Sequence, residues 1–253
     1  MRFILLLLST ISLAAQTPKP TLTPIGLRVN GSFPGQSFEF EPIGYVRGTV
    51  VDLYLTASDL IAIDQEASTL TSFTDDTGKD LLKSPDGGES AKFGPFPKIN
   101  AAGTAALFDV RSPELLAKSA HSVTLSGKLM VKTGSVKAES VNKQVSLIKG
   151  AKLVSGAKQF VIERVDKDGR LALELRTEDA VDEIAGLSVI DTAGKKTAAV
   201  NRMSSTAEIA GRRIVTLGYE IEASGDSFDV VIEYWKDLKE VEIPFTVRLG
   251  IGL

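Results

Sequence analysis

The sequence predicts an all-β protein of two tandem sandwich domains. Three observations predict it. Apolar and polar residues alternate over most of the chain, the mark of strands with one face in a core. Asp- and Gly-containing turn signals separate the alternating stretches. Helical periodicity is scarce, with room for a short helical turn only at 112–119 and 177–184, where Ser112-Pro113-Glu114 has the form of a helix start.

The chain opens with features of an export signal over residues 1–15. Arg2 supplies the positive start, and Phe3 to Leu8 is an unbroken apolar run that Ile11 to Ala15 extends. Ser12-Leu13-Ala14 and Leu13-Ala14-Ala15 fit a small-x-small cleavage site. The run is shorter than the roughly 18 residues of a spanning helix, and Pro18, Pro20 and Pro24 follow at once. No second segment suggests a membrane span. The chain has no cysteine, so it carries neither disulfides nor a lipid-bearing Cys. A bacterial periplasm, cell surface or extracellular location is expected.

Residues 16–23 read as an extended Thr/Pro leader. Ile25, Leu27 and Val29 begin the alternation. Val51, Leu53 and Leu55 follow, then Ala106, Phe108 and Val110, then Val123, Leu125, Leu129 and Val131. The second half continues with Leu171, Leu173 and Leu175; Val215, Leu217, Tyr219 and Ile221; and Phe228, Val230, Ile232 and Tyr234. The last strand is the cleanest, with Val241, Ile243, Phe245, Val247, Leu249, Ile251 and Leu253 on one face. Pro244 has no N–H for a ladder, so this strand is expected at an edge or with an irregularity there. Asp166-Lys167-Asp168-Gly169 joins two strands as a hairpin.

The halves repeat one another. Val51 to Leu55 followed by Asp59 matches Leu171 to Leu175 followed by Asp179. Ser72 through Asp75 and Gly78 to Lys79 matches Ser188 through Asp191 and Gly194 to Lys195. Two ordered matches imply a duplication, with each half ending in a long strand, at about 141–154 and 239–253. The expected division is a first sandwich at 24–154 and a second at 155–253, with Ser155-Gly156 as linker. The first carries two unusual insertions, 31–48 and 83–103. Alternation and Asp-Gly turns over nearly the whole chain resemble the tandem immunoglobulin-like (E-set type) modules of exported bacterial proteins. The resemblance implies two immunoglobulin-like β-sandwiches and carries no site residues with it.

Chemistry is sparse. His121 is the single histidine, and its neighbour Ser122 points to the opposite strand face. One His and no Cys exclude ordinary zinc, copper and haem sites, so no metal or cofactor is expected. Asp166-x-Asp168-Gly169 starts like a calcium loop but has Arg170 and Thr177 where ligands belong. Asp59, Asp64, Glu66, Asp75, Asp76 and Asp80 form a denser acidic set. Glu220 with Glu222, and Asp229 with Glu233, share strand faces. Phosphate-binding loops are absent, and a net charge of −3 gives no general attraction to nucleic acid.

Four residues remain as candidate ligand contacts. Trp235 is the only Trp, placed outward by parity, and Tyr54 is outward in the other half. Lys128 and Lys132 belong to a Lys-rich stretch, 118–158, with one acid, Glu139. A basic stripe would suit an anionic polymer; lysines on exposed strands also prevent edge-to-edge association. The expected role is non-enzymatic binding or structural support, with an envelope protein or polysaccharide as partner. The alternatives are a carbohydrate-binding module using Trp235 and a hydrolase with a carboxylate pair in the groove between the domains.

Overall fold

A computed structural model describes residues 19–31, 47–83, 88, 90–95, 97–167 and 170–251. The export signal and most of segment 31–48 lie outside these residues. Among the described residues the chain is all-β, consistent with the β-sandwich class, and no helix is long and apolar enough to cross a membrane. The helical turns expected at 112–119 and 177–184 are absent. Ser112 Oγ instead accepts the Glu114 N–H at 3.0 Å, a local turn that ends a strand.

The described chain divides into two compact units at 132/133 and 240/241, so the second is nested within the first. This corrects the tandem division at 154/155. Ser155-Gly156 is no linker: it is a hairpin turn inside the second unit, where Ser155 pairs with Lys158 and Gly156 has φ 60°.

The first unit contains β1 (Thr21–Asn30), β2 (Gly48–Thr56), β3 (Leu60–Asp75), β4 (Lys92–Phe93), β5 (Lys98–Ile99), β6 (Ala105–Ser112) and β7 (Ser122–Thr133). Strands β1-β2-β6-β4 form one sheet, with β5 also on β6. Thr21 to Thr23, expected in the leader, already pair with Thr56 to Tyr54. The second unit contains β8 (Lys137–Ser146), β9 (Lys152–Ser155), β10 (Lys158–Asp166), β11 (Leu171–Thr177), β12 (Ile184–Ile190), β13 (Lys196–Ile209), β14 (Arg212–Ile221) and β15 (Ser227–Trp235). The long strand expected at 141–154 is thus two strands. The final strand, β16 (Lys239–Gly250), returns to the first unit and pairs with β7, whose other neighbour is β3. It lies at the end of that sheet, the first of the two placements that Pro244 allows.

Each unit has its own core, built by the alternation. In the first, Leu53 and Leu55 of β2 and Val110 of β6 meet Phe73 of β3, Leu125 and Leu129 of β7, and Phe245 of β16. In the second, Leu173, Leu175, Ile221, Phe160, Ile162 and Val230 form the centre. Its strands make one sheet in the order β8-β15-β12-β13-β14-β11-β10-β9. This sheet curls until its end strands meet. Asn142 of β8 accepts the Val154 N–H at 2.7 Å and donates to its carbonyl at 3.0 Å, so one side-chain amide stands in for a ladder pair.

The units share a strand plan. β2 lies between β1 and β6, and β3 pairs with β7; equally, β11 lies between β10 and β14, and β12 pairs with β15. The turns after β3 and β12 are alike in detail. Asp75 Oδ1 accepts from Thr77 N and Lys79 N at 3.0 Å each, and Asp191 Oδ1 from Ala193 N and Lys195 N at 2.9 Å each. Gly78 and Gly194 follow at φ 88° and 82°. The last strands break the plan by exchange. β8 follows β7 in sequence but pairs with β15; β16 follows β15 but pairs with β7.

Asp237 clasps the two connections that this exchange creates. Its carboxylate accepts from Ser135 N at 3.0 Å, Ser135 Oγ at 2.8 Å and Val136 N at 2.9 Å. Those hydrogen bonds, led by the one from Val136, lower its pKa from 3.8 to about 2. A folded-state pKa below the unfolded one stabilises fully above 3.8, and that contribution is lost as pH falls through about 2. Asp237→Asn is therefore expected to flatten the rise of thermal stability across this acid window relative to wild type, measured by unfolding over a pH series. Parallel curves for the two proteins would show that the clasp carries no stability.

Candidate binding surface

The structure places the sequence candidates apart. Trp235 ends β15 in the second unit, half-buried, with Lys137 Nζ 4.7 Å from its ring centroid. One face of the ring is thereby occupied. Tyr54 is exposed on β2 in the first unit, opposite Leu107 of β6. Lys128 pairs with Glu242 at 3.1 Å, and the mostly buried Lys132 lies 3.7 Å from Asp64. Lys149 and Lys158 likewise meet Glu163 and Glu183. Lys128, Lys132, Lys137, Lys149 and Lys158 of the basic stretch thus each meet an acid from elsewhere in the chain.

The acidic candidates are engaged in the same way. Glu220 meets Arg202 and Arg170, Glu222 meets Arg170, and Glu233 meets Lys137 and Lys196. Asp229 Oδ1 accepts the Gln144 N–H at 2.8 Å. Asp52 and Asp109 stand directly opposite one another on β2 and β6, a repulsive arrangement if left alone. Arg28 binds Asp52 at 2.8 Å and Arg111 binds Asp109 at 2.7 Å, so the pair is neutralised in place.

Of the acidic set in the first unit, Asp75 and Asp76 are consumed by backbone donors. Burial opposes ionisation of Asp75, but hydrogen bonds from Thr77, Ala117 and Lys79 outweigh it and hold its carboxyl below the ordinary value. Asp76 is lowered chiefly by the His121 N–H. Ser122 Oγ accepts from the Arg248 guanidinium, while the His121 backbone N–H is the one that donates to Asp76. Among the described residues no three His, Cys, Asp or Glu group to hold a metal ion. Two open hollows, of about 400 and 370 Å³, lie in the second unit and are lined by mixed charges that include Arg170 with Glu222 and Arg176 with Glu163.

The element unlike the rest is the hairpin β13–β14. Residues 200–213 are exposed on both faces. Pairing of β13 with β12 stops at Ala198, and beyond it, among the described residues, only β14 lies alongside, from Ala199 to Ile209. The outer edge of β13 is thus an open row of backbone donors and acceptors. Val200, Met203 and Ile209 are 50%, 41% and 58% exposed. Arg202 is the extra residue of a bulge between Asn201 and Met203, and its Nε donates to Glu220 at 3.0 Å. Burial raises the Tyr219 pKa, opposed by a hydrogen bond with Asn201 that ties down the hairpin base.

Local chemistry explains the turn. Ile209 pairs with Arg212, leaving a two-residue turn in which Ala210 and Gly211 have φ 52° and 74°. Two positive φ angles match the right-handed twist of a hairpin, and Gly211 accepts this without strain. Ala210 does not. Ala210→Asn is expected to stabilise the hairpin by about 1 kcal/mol, because Asn tolerates the left-handed region that costs Ala about that much. Amide exchange at β13 checks it; unchanged rates would refute the strain.

Sequence reasoning missed β13. With neither face buried from Val200 to Ile209, that stretch shows no alternation. The usable signal was the Ala-Gly turn ahead of Val215. No protein-family model, curated protein or solved structure matches the chain.

Proposed function

We propose that this chain is an exported, non-enzymatic binding or structural protein of the cell envelope or surface, built from two duplicated immunoglobulin-like sandwiches, and that hairpin β13–β14 engages another chain. The observation that carries this is the open edge of β13, exposed on both faces over ten residues. Sheet edges recruit strands through main-chain hydrogen bonds, and proteins that do not use them protect them with Lys, Pro or a cover. The segment from Met203 to Ile209 has no Pro and no Lys. The leader-like residues 1–15 support export, and the acid–base matching of the strand faces supports a role without catalysis. The Lys137 ammonium on the Trp235 ring favours no sugar platform there.

The test is retention by isolated cell envelopes in a sedimentation assay, with Thr206→Pro as the edge-blocked variant. Wild type is expected in the pellet and the variant in the supernatant. Equal behaviour of the two would refute the hairpin's role. N-terminal sequencing of the recovered protein is expected to start at residue 15 or 16, and an intact Met1 would refute export by cleavage.

A further inference from the structure

We propose that the open edge of β13 pairs with the same edge of a second copy of this chain, antiparallel and centred on Ser205, giving a closed two-fold dimer. The inference rests on the hairpin's proposed role and names its partner.

Backbone geometry restricts the register. Across the two-residue turn, Ile209 and Arg212 form the hydrogen-bonded pair, so Ile209, Ala207, Ser205 and Met203 direct their N–H and C=O groups to β14. Ser204, Thr206 and Glu208 therefore direct theirs to the open edge. Two such edges bond only when even-numbered residues of one face even-numbered residues of the other.

Charge then selects among the allowed registers. The edge carries two charged residues of opposite sign, Arg202 and Glu208. With Ser205 on the two-fold axis, Arg202 of each copy stands opposite Glu208 of the other. Ser204 faces Thr206, and Met203 faces Ala207. Sliding by two residues in either direction loses both charge pairs. Glu208 has no ion pair within its own chain among the described residues, and its hairpin neighbour Arg213 does not pair with it. Arg202 bonds Glu220 through Nε, so its terminal nitrogens remain to meet the incoming carboxylate. The bulge at Arg202 ends the regular ladder there, which limits pairing to this short segment. An isologous pairing of one edge with itself closes after two copies, so envelope retention is then that of the dimer, which Thr206→Pro dissociates.

Sedimentation velocity of the purified chain over a wide concentration range tests this. Wild type is expected to shift from monomer to dimer, and Thr206→Pro, which removes an outward N–H, to remain monomeric with unchanged thermal unfolding. Arg202→Glu and Glu208→Arg each place two like-charge contacts in the dimer and are expected to weaken it about tenfold. An equimolar mixture of these two variants restores opposite charges at every contact, and is expected to dimerise as wild type does. A wild type that is monomeric throughout, single variants that dimerise normally, or a mixture that does not recover would each overturn the proposal. A monomer that envelopes retain through the hairpin overturns self-pairing alone. A dimer that no envelope retains overturns the binding role alone.

Discussion

Phe245→Ala is expected to destabilise the first unit by about 3–5 kcal/mol and to leave the second unit untouched. Phe245 lies in β16, the last strand of the chain, yet its ring is buried in the core of the first unit with Phe73, Leu125 and Leu129. It packs over Gly127 of β7, where an added Cβ would come within 3.0 Å of the ring and 2.3 Å of the Thr69 carbonyl oxygen. Removing the ring leaves a cavity that the flanking strands cannot fill, because the Gly127 backbone is already in close approach to β3. Amide exchange followed by mass spectrometry separates the two units. Peptides from β7 and β3 are expected to lose protection in the variant, while those from β15 and β12 keep theirs. Loss at β15 would show that β16 belongs beside its sequence neighbour and that the strands are not exchanged.

Gly48→Ala is expected to cost the first unit at least about 2 kcal/mol, through two effects that add. Gly48 opens β2 at φ 116°, where a side chain is strained. Its missing Cβ also makes room for the end of β6: a Cβ there would stand 1.9 Å from the Ser112 carbonyl oxygen and 2.9 Å from Pro113 backbone atoms. Those contacts cannot yield cheaply. Thr49, fully buried, donates from Oγ1 to the Glu114 carbonyl at 2.7 Å, and Ser112 Oγ donates to the Leu81 carbonyl, so both sides of the corner are pinned. Gly78→Ala is the control. Gly78 also has a positive φ, 88°, but an added Cβ meets nothing within 4 Å, so only backbone strain applies. Chemical denaturation of both variants is expected to show the larger loss for Gly48→Ala. Equal losses would mean that the β6 corner moves aside.

The site was less legible than the fold. The outward placement of Tyr54 and the core face of the alternating strands follow from parity, and Pro244 allows the edge position that its strand takes. The charges of the Lys-rich stretch looked unopposed because their partners, such as Asp64, Glu183 and Glu242, lie far away in sequence. β13 left no alternation to read because period-2 patterning records burial of one face, and from Val200 onward β13 buries neither.

The sequence by itself determined which side of each alternating strand faces a core and where the Asp-Gly turns fall. These are local properties, set by side-chain alternation and by single residues with unusual φ. Only the tertiary structure decided which strands pair. Pairing uses backbone N–H and C=O groups that every residue but proline carries, so a strand's own side chains do not name its neighbour. For that reason β8 and β16 could trade places without any mark in the alternation, and a division that reads as tandem in sequence is an insertion of one unit's chain into the other's.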